Sequence, residues 1–297
     1  MRNKVGNEIN YLKIAVTDRT NHTCKYALPK RPDAATENES AGILSFEEIT
    51  KAVKAFAELG ITTVELCGES GGEALLRKDL HRLVKDLKAV KGIEKVILST
   101  NGTLLSDAAA KLKDFGLDSV NINIPSLKFV RLKEITGESI DTVVAGINAA
   151  TDKGLKPVVL DTTLFRGYTQ DEILDFLQLT FQHDYTVCFR EFLPGSSEMK
   201  GDFEYLPEAD IRAKLPALMP CGEEKGSYTL YKYPGALGKI TFISPVTHPD
   251  FHEDEKISLS AFGILSPSVY ENGGTDIREA ISGDITKLKD VIENAVS

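Results

Sequence analysis

Gly71-Gly72-Glu73 places a carboxylate directly after two glycines at the end of an apolar run. Glycine lets a backbone approach a ligand closely, and successive amides can form an anion-binding concavity. The same residues also suit a tight strand-to-helix turn carrying a solvated Glu73. Asn101, in Thr100-Asn101-Gly102, can cap the next helix or hydrogen-bond a ligand. Arg166, Arg190 and Glu191 end later apolar runs, where they would line a charged pocket or pair with one another. Cys24 is a candidate nucleophile with His22 nearby, provided its thiol is accessible and its pKa lowered. Cys67 reads as strand packing and the direction of Cys188 is open. With Cys221, the four cysteines are too dispersed for a zinc ribbon or a ferredoxin-like run. His248, Asp250 and His252 alternate, so an extended segment would aim all three one way, as nitrogen and oxygen ligands for zinc, manganese or iron. The acidic residues around them equally suit a solvated loop.

These groups need elements to hold them. Strands are expected at Tyr11–Thr17, Thr62–Cys67, Lys95–Ser99, Ser119–Ile124, Pro157–Leu164 and Thr186–Phe192, where apolar and β-branched residues are dense. Between them the spacing predicts helices: one capped by Ser45, with Ile49, Val53, Phe56 and Ala57 as its buried stripe, then Lys78–Lys88, Ser106–Phe115, Ile140–Asp152 and Gln170–Phe181. Strands alternating with helices imply parallel pairing, because each crossover returns the chain in the same direction. A curled, barrel-like sheet and an open doubly wound sheet both satisfy that rhythm. After Gly195 the rhythm changes. Strands near Tyr228–Tyr233, Lys239–Ile243 and Ile257–Ser260 and helices near Glu208–Leu215, Thr275–Ile281 and Ile285–Val296 read as a smaller appendage. The chain thus divides into a core, 1–195, and an extension, 196–297.

Composition bounds the function. The chain has 297 residues and a formal charge of −9. That balance disfavours a broad nucleic-acid surface while leaving room for a small phosphate site. No apolar run is long enough to span a bilayer, and the first residues lack an apolar signal core, so a soluble cytoplasmic protein is expected.

The chain resembles the GTP 3',8-cyclases of molybdenum cofactor biosynthesis, within the radical S-adenosylmethionine enzymes. The resemblance runs through YLKIAVTDR at 11–19, LSFEEI at 44–49, GGEALLRKDL at 71–80, STNGTLL at 99–105, LDSVNINIPSL at 117–127, REFLP at 190–194 and PGALGKITFISPVTHP at 234–249. It implies an α/β fold, a partial (β/α)6 TIM-like barrel with a C-terminal α+β extension that helps close it. Ligands would lie at the C-terminal ends of the strands. It further implies an amine-binding carboxylate at Glu73, a glycine cradle at Gly71 and Gly72, and ligand contacts at Asn101 and at Asn123, which stands where the family has an adenosylmethionine-contacting serine. Lys13 and Arg19 follow family polar positions around the first strand.

The departures concern the cofactor. The family holds an iron–sulfur cluster on three cysteines spaced C-x3-C-x2-C. The corresponding residues here are Thr20, Cys24 and Ala27, and Thr is a poor soft-metal ligand while Ala is none. In that light Cys24 reads as a relic of the cluster loop. The second cluster's ligands correspond to Phe251, Asp254 and Ser268. Gly68-Glu69-Ser70 is inserted before the glycine loop, the family's Gly-Gly-Glu-Pro becomes Gly71-Gly72-Glu73-Ala74, and the Arg preceding its Phe-Ile-Glu-Phe becomes Cys188. The Arg-rich substrate segment becomes Glu255-Lys256-Ile257-Ser258, which disfavours triphosphate recognition.

The expectation is a protein without an iron–sulfur cluster, with a small-molecule pocket for an adenosylmethionine-like or nucleoside ligand and non-radical chemistry. Cys24, Glu73, Arg190 and Glu191 are its candidate catalytic groups. The alternatives are a non-catalytic paralogue that binds or regulates, and an intact GTP 3',8-cyclase. Partners are expected to be small molecules, with a second copy of the chain or a pathway protein left open.

Overall fold

The structure is a computed structural model describing the whole chain apart from residues 3–7, 23, 26–41, 70, 193–202, 222–228, 245–255, 268–272 and 297. Strand β1 (Tyr11–Ala15) leads to helix α1 (Phe46–Glu58), and the alternation continues with β2 (Thr63–Cys67), α2 (Leu80–Lys88), β3 (Lys95–Thr100), α3 (Leu105–Asp114) and β4 (Ser119–Asn123). Two helices, α4 (Phe129–Thr136) and α5 (Ile140–Asp152), precede β5 (Val158–Arg166), followed by α6 (Ile173–Gln182) and β6 (Tyr185–Glu191). Strands β1 to β6 pair in sequence order, all parallel. The sheet does not close on itself, which makes it a partial α/β barrel.

Local chemistry explains the helices. Ser45 accepts from the Glu48 amide while Glu48 accepts from the Ser45 amide, a complete capping box at the start of α1. Ile49, Val53 and Phe56 then bury one stripe, joined by Ala52 and Ala55 in place of the expected Ala57. Ser139 caps α5 by accepting from the Asp141 amide at 3.2 Å. Gly146 sits mid-helix in α5, where a Cβ would lie 2.2 Å from the Gly102 carbonyl oxygen. The helix can press against the β3–α3 turn only because that side chain is missing.

The remaining elements are β7 (Glu204–Tyr205), α7 (Glu208–Lys214), β8 (Met219–Pro220), β9 (Leu230–Lys232), β10 (Lys239–Ile243), β11 (Lys256–Leu259), β12 (Ile264–Ser266), β13 (Thr275–Asp276), α8 (Arg278–Ser282) and α9 (Ile285–Val296). They extend the same sheet on both sides. Strand β10 pairs parallel with β6 and antiparallel with β9, while β11 pairs parallel with β1 and antiparallel with β12. The helix expected over 275–281 instead begins as strand β13, because Thr275 and Asp276 pair with β12. Strand β7 pairs with β5.

Alternation divides the strands' side chains between two faces. Leu12, Ile14, Val64, Leu66, Val96, Leu98, Val120, Ile122, Leu160, Val187 and Phe189 are buried in one core with Val53, Phe56, Leu83, Leu112 and Phe176 of the helices. The alternate set, including Lys13, Glu65, Ser99, Asn121, Asn123, Asp161, Cys188 and Arg190, occupies the inner face. Among the described residues no helix is long and apolar enough to cross a membrane.

Candidate functional site

The strand ends of β1, β2 and β3 are joined around Glu73. The turn between β2 and Glu73 folds tightly: the Glu69 amide donates to Thr17 O at 2.7 Å, the Gly72 amide to Glu69 O at 2.7 Å and the Glu73 amide to Arg19 O at 2.8 Å. Gly71 has φ +85°, and a Cβ at Gly68 would lie 2.1 Å from the Gly72 carbonyl carbon, so the turn needs glycine at both places. The amides of Gly72 and Glu73 are therefore engaged within the protein, which removes them from the expected anion-binding cradle. Glu69 reaches the extension, where its Oε2 accepts from the Ala261 amide at 2.8 Å.

Glu73 is only 1% exposed, which corrects the reading of a solvated turn residue. Its Oε1 accepts from the Leu75 amide at 2.9 Å and the Thr100 hydroxyl at 2.8 Å, and its Oε2 from the Asn101 amide at 2.7 Å. Burial pushes its carboxyl pKa up, against the opposing pull of the Asn101 and Leu75 amides and the Thr100 hydroxyl. A carboxylate has about four lone-pair sites, so Oε2 keeps capacity for one further donor.

Asn101 does not cap α3, whose first turn begins after Leu104. Its Oδ1 instead accepts from the Thr103 amide at 3.0 Å and the Thr103 hydroxyl at 2.7 Å, and its Nδ2 donates to Asn21 Oδ1 at 2.8 Å. Asn21 returns a bond to Thr103 at 2.8 Å. The Asx turn competes with the helix cap and wins, because it also anchors the 20–25 loop.

In that loop the Thr20 hydroxyl accepts from the His22 amide at 3.1 Å, closing a local turn. The His22 Nε2 is buried without a partner among the described residues, and burial pushes the imidazole down to about 4. Cys24 is half-buried and packs against a cluster containing Ile135, Phe165, Tyr168, Phe192 and Phe203. Cys67 is buried, its thiol contacts Ile14 O at 3.4 Å, and desolvation first, with nearby carboxylates adding, pushes it up to about 12. Cys188 is buried on the inner face beside Asp161 and Thr241.

Charged residues at the strand ends form pairs. Arg190 meets Asp161 at 2.8 Å through Nη2 and at 3.3 Å through Nε. Arg166 pairs with Asp210 at 2.9 Å. Arg19 donates to Leu76 O at 3.3 Å. Glu191 is buried and accepts from the Glu208 amide at 2.7 Å, so it caps α7 and fastens the extension to β6. Glu208 itself accepts from Arg212 and Ser244. Asn123 is exposed at the end of β4, beside Asp161 in register. The sites at Glu73 and Asn101 are thus contiguous, Asn123 and Arg190 flank Asp161, and Cys24 belongs to a separate apolar cluster. The 248–252 residues and the positions of Ala27, Phe251, Asp254 and Ser268 lie outside the described residues.

Sequence reasoning missed Glu65, Asp161 and Glu172. Glu65 is buried on the inner face, bonded by Tyr11 Oη at 2.6 Å and the Ser99 hydroxyl, with Lys13 at 3.6 Å. Glu172 is fully buried and accepts from Ser126 at 2.7 Å, the Leu127 amide at 2.6 Å and Arg131 at 2.7 Å, clamping the β4–α4 loop to the β5–α6 loop. For Glu65 and Asp161 the available signal was a charged residue at an alternate position inside an otherwise apolar strand, whereas Glu172, in the β5–α6 loop, carried none.

The sequence profile of the Radical SAM superfamily matches residues 14–180. The GTP 3',8-cyclase of Alkaliphilus oremlandii is 33% identical over 299 residues, covering 100% of this chain and 92% of the relative. That of Moorella thermoacetica is 33% identical over 305 residues, covering 100% and 93%. Among solved structures, Streptococcus suis SuiB bound to S-adenosylmethionine superposes with a TM-score of 0.67 at 12% identity, over 97% of this chain and 67% of that one. The hydrogenase maturase HydG of Carboxydothermus hydrogenoformans gives 0.55 at 15% identity, over 70% and 50%. These structural likenesses show the fold, and the full-length relatives show the lineage: the chain belongs to the radical S-adenosylmethionine superfamily and, within it, to the GTP 3',8-cyclase family.

Proposed function

We propose that this chain is a GTP 3',8-cyclase relative that has given up the iron–sulfur cluster and retains a small-molecule pocket at its strand ends, with non-radical chemistry. The observation that carries the reading is the donor set of the cluster loop. Thr20, Cys24 and Ala27 stand where the family has three cysteines, and a single thiolate does not hold a four-iron cluster. Among the described residues the neighbouring groups are otherwise engaged: the Thr20 hydroxyl serves a local turn, Cys67 contacts Ile14 O, and Cys188 lies within β6. The residues present do not fit the cluster.

What supports a retained pocket is the geometry around Glu73, Asn101 and Asn123. Glu73 holds a fixed, buried carboxylate whose Oε2 keeps capacity for one further donor, suited to an ammonium or hydroxyl group. Asn123 can bond a ribose or a carboxylate. An adenosylmethionine-like or nucleoside ligand fits that chemistry, bound weakly because no iron chelates it. Within such a site Glu73 binds and orients, the Arg190–Asp161 pair shapes the floor, and Glu191 holds the covering extension in place through α7.

The intact GTP 3',8-cyclase is the competing reading, favoured by the names of the full-length relatives. Anaerobic reconstitution with iron and sulfide assays, followed by incubation with dithionite, S-adenosylmethionine and GTP, separates the two. The proposal expects no stoichiometric cluster and no enzyme-dependent 5'-deoxyadenosine. A full cluster with catalytic 5'-deoxyadenosine formation overturns it in favour of the cyclase. A protein that binds neither adenosylmethionine nor a nucleoside at millimolar ligand points instead to a non-catalytic paralogue.

A further inference from the structure

We infer that Glu65 and Asp161 are specificity-determining residues: by neutralising the inner-face cations Lys13, Lys256 and Arg190 from within, they make the barrel select a small polar ligand carrying at most one net charge and reject a polyphosphate. The inference deepens the proposed function, on whose retained pocket it rests.

The two carboxylates lie on the inner face but on different strands. Glu65 is opposite Lys13 in the β1–β2 register, with its Oε1 3.6 Å from the Lys13 ammonium. Lys256 lies beside them, its ammonium 4.6 Å from the centroid of the Tyr11 ring, and Tyr11 in turn donates to Glu65. Ser99 completes the shell. Burial alone would raise the Glu65 pKa, yet Lys13 and Lys256, aided by the two hydroxyls, hold it below the ordinary carboxylate value. Glu65 is therefore ionised, and each lysine already faces a negative charge. Across the barrel, Asp161 meets Arg190 through both Nε and Nη2. Asp161 is 17% exposed and Arg190 31%, so this pair borders the accessible part of the face.

Within these two clusters Lys13 and Lys256 face Glu65, and Arg190 faces Asp161, so neither offers an excess of more than one positive charge. A triphosphate brings several negative charges and requires several uncommitted cationic donors. Here it would have to break existing pairs and would meet two fixed carboxylates at short range, in surroundings where charge repulsion is poorly screened. Cys188, where the family has Arg, adds no cation. A nucleoside or zwitterion meets no such penalty, and both pairs can remain intact beneath it.

The test measures binding of guanosine, S-adenosylmethionine, GTP and inorganic tripolyphosphate to the full chain and to the isosteric variants Glu65→Gln and Asp161→Asn, at low and raised salt. The wild-type protein is expected to bind GTP no tighter than guanosine and to show no saturable tripolyphosphate binding. Each folded variant should gain about tenfold or more in tripolyphosphate affinity, and the gain should fade with salt. Should Glu65→Gln not fold, Asp161→Asn reads the same effect at a partly exposed pair. Wild-type GTP binding about tenfold or more tighter than guanosine, or folded variants with no gain, overturns the assignment. Absence of guanosine and adenosylmethionine binding, with the variants' tripolyphosphate gain intact, overturns the retained-ligand reading while supporting the charge assignment.

Discussion

Asn101 donates its backbone amide to Glu73 at 2.7 Å, although 28 residues separate them. The bond locks the loop after β2 to the loop after β3, and the Asn101 side chain passes the constraint on to Asn21. Candidate ligand contacts and structural bonds therefore share the same atoms. Replacing Glu73 by Gln retains the shape but exchanges one acceptor oxygen for an NH2 group, which would face an amide or hydroxyl donor. Glu73→Gln should cost about 2–3 kcal/mol, close to Glu73→Ala, because buried donors lose their acceptor in both. Denaturant unfolding measures it. A Gln variant within about 0.5 kcal/mol of wild type would show that the three bonds carry little stability.

Gly146 controls the same loop from outside. A methyl group there would meet the Gly102 carbonyl oxygen at 2.2 Å, so either α5 or the 101–103 turn must move. Alanine is ordinarily the better helix residue by about 1 kcal/mol. Gly146→Ala should nevertheless destabilise by about 2–3 kcal/mol, the overpacking outweighing the helix gain. It should also shift the Asn101 side-chain resonances. Unchanged or increased melting temperature would mean that α5 does not press on this turn.

Much of this scaffold was legible locally. Ser45 and Glu48 announce the start of α1, and Ile285–Val296 forms as its spacing indicates. Thr275 and Asp276 misled because their pairing with β12 is tertiary, and short local signals yield to such pairing. Strands β10 and β11 form where their apolar runs indicate, and only their parallel partners β6 and β1, far away in sequence, were not readable locally. Within the site, Gly71-Gly72 flagged Glu73 because tight backbone geometry has a residue signature. Glu65 and Asp161 carried no such flag: a charge at alternate strand positions reads as a solvated face, and only curling of the sheet turns that face inward. Glu191 was visible as a strand-end charge, but its role as a cap for α7 depends on a helix from beyond Gly195.

His22 gives a pH signature. Burial holds its imidazole at about 4, below the ordinary 6.5. A depressed pKa in the folded state means that the unfolded chain binds this proton first. The histidine's contribution is therefore fully present above about pH 6.5 and is lost as pH falls towards about 4. The shift corresponds to about 3 kcal/mol over that window. Carboxylates titrate in the lower part of the same range, so the quantity to read is the difference between wild type and His22→Asn. That difference should change steadily between pH 6.5 and 4, with wild type losing more. Parallel stability curves would show that His22 is protonated while folded.

The cluster loop offers a constructive test. If Thr20 and Ala27 are the missing ligand positions, Thr20→Cys/Ala27→Cys recreates the C-x3-C-x2-C spacing around the existing Cys24. Asn21, tied to Asn101 and Thr103, still holds the first part of this loop against the β3–α3 turn. The competing constraints are local. Thr20 must release the His22 amide, and Cys24 must leave its packing beside Phe165 and Phe203. Thiolate ligation of iron is strong enough to draw a half-buried cysteine outward. Anaerobic reconstitution of the double variant should then yield about four irons and the matching visible absorption, while wild type and each single variant stay well below that. Iron uptake by wild type equal to the double variant would place the cluster ligands elsewhere and remove the argument from spacing. A folded double variant that takes up no iron would show that the loop has diverged in conformation as well as in ligand identity.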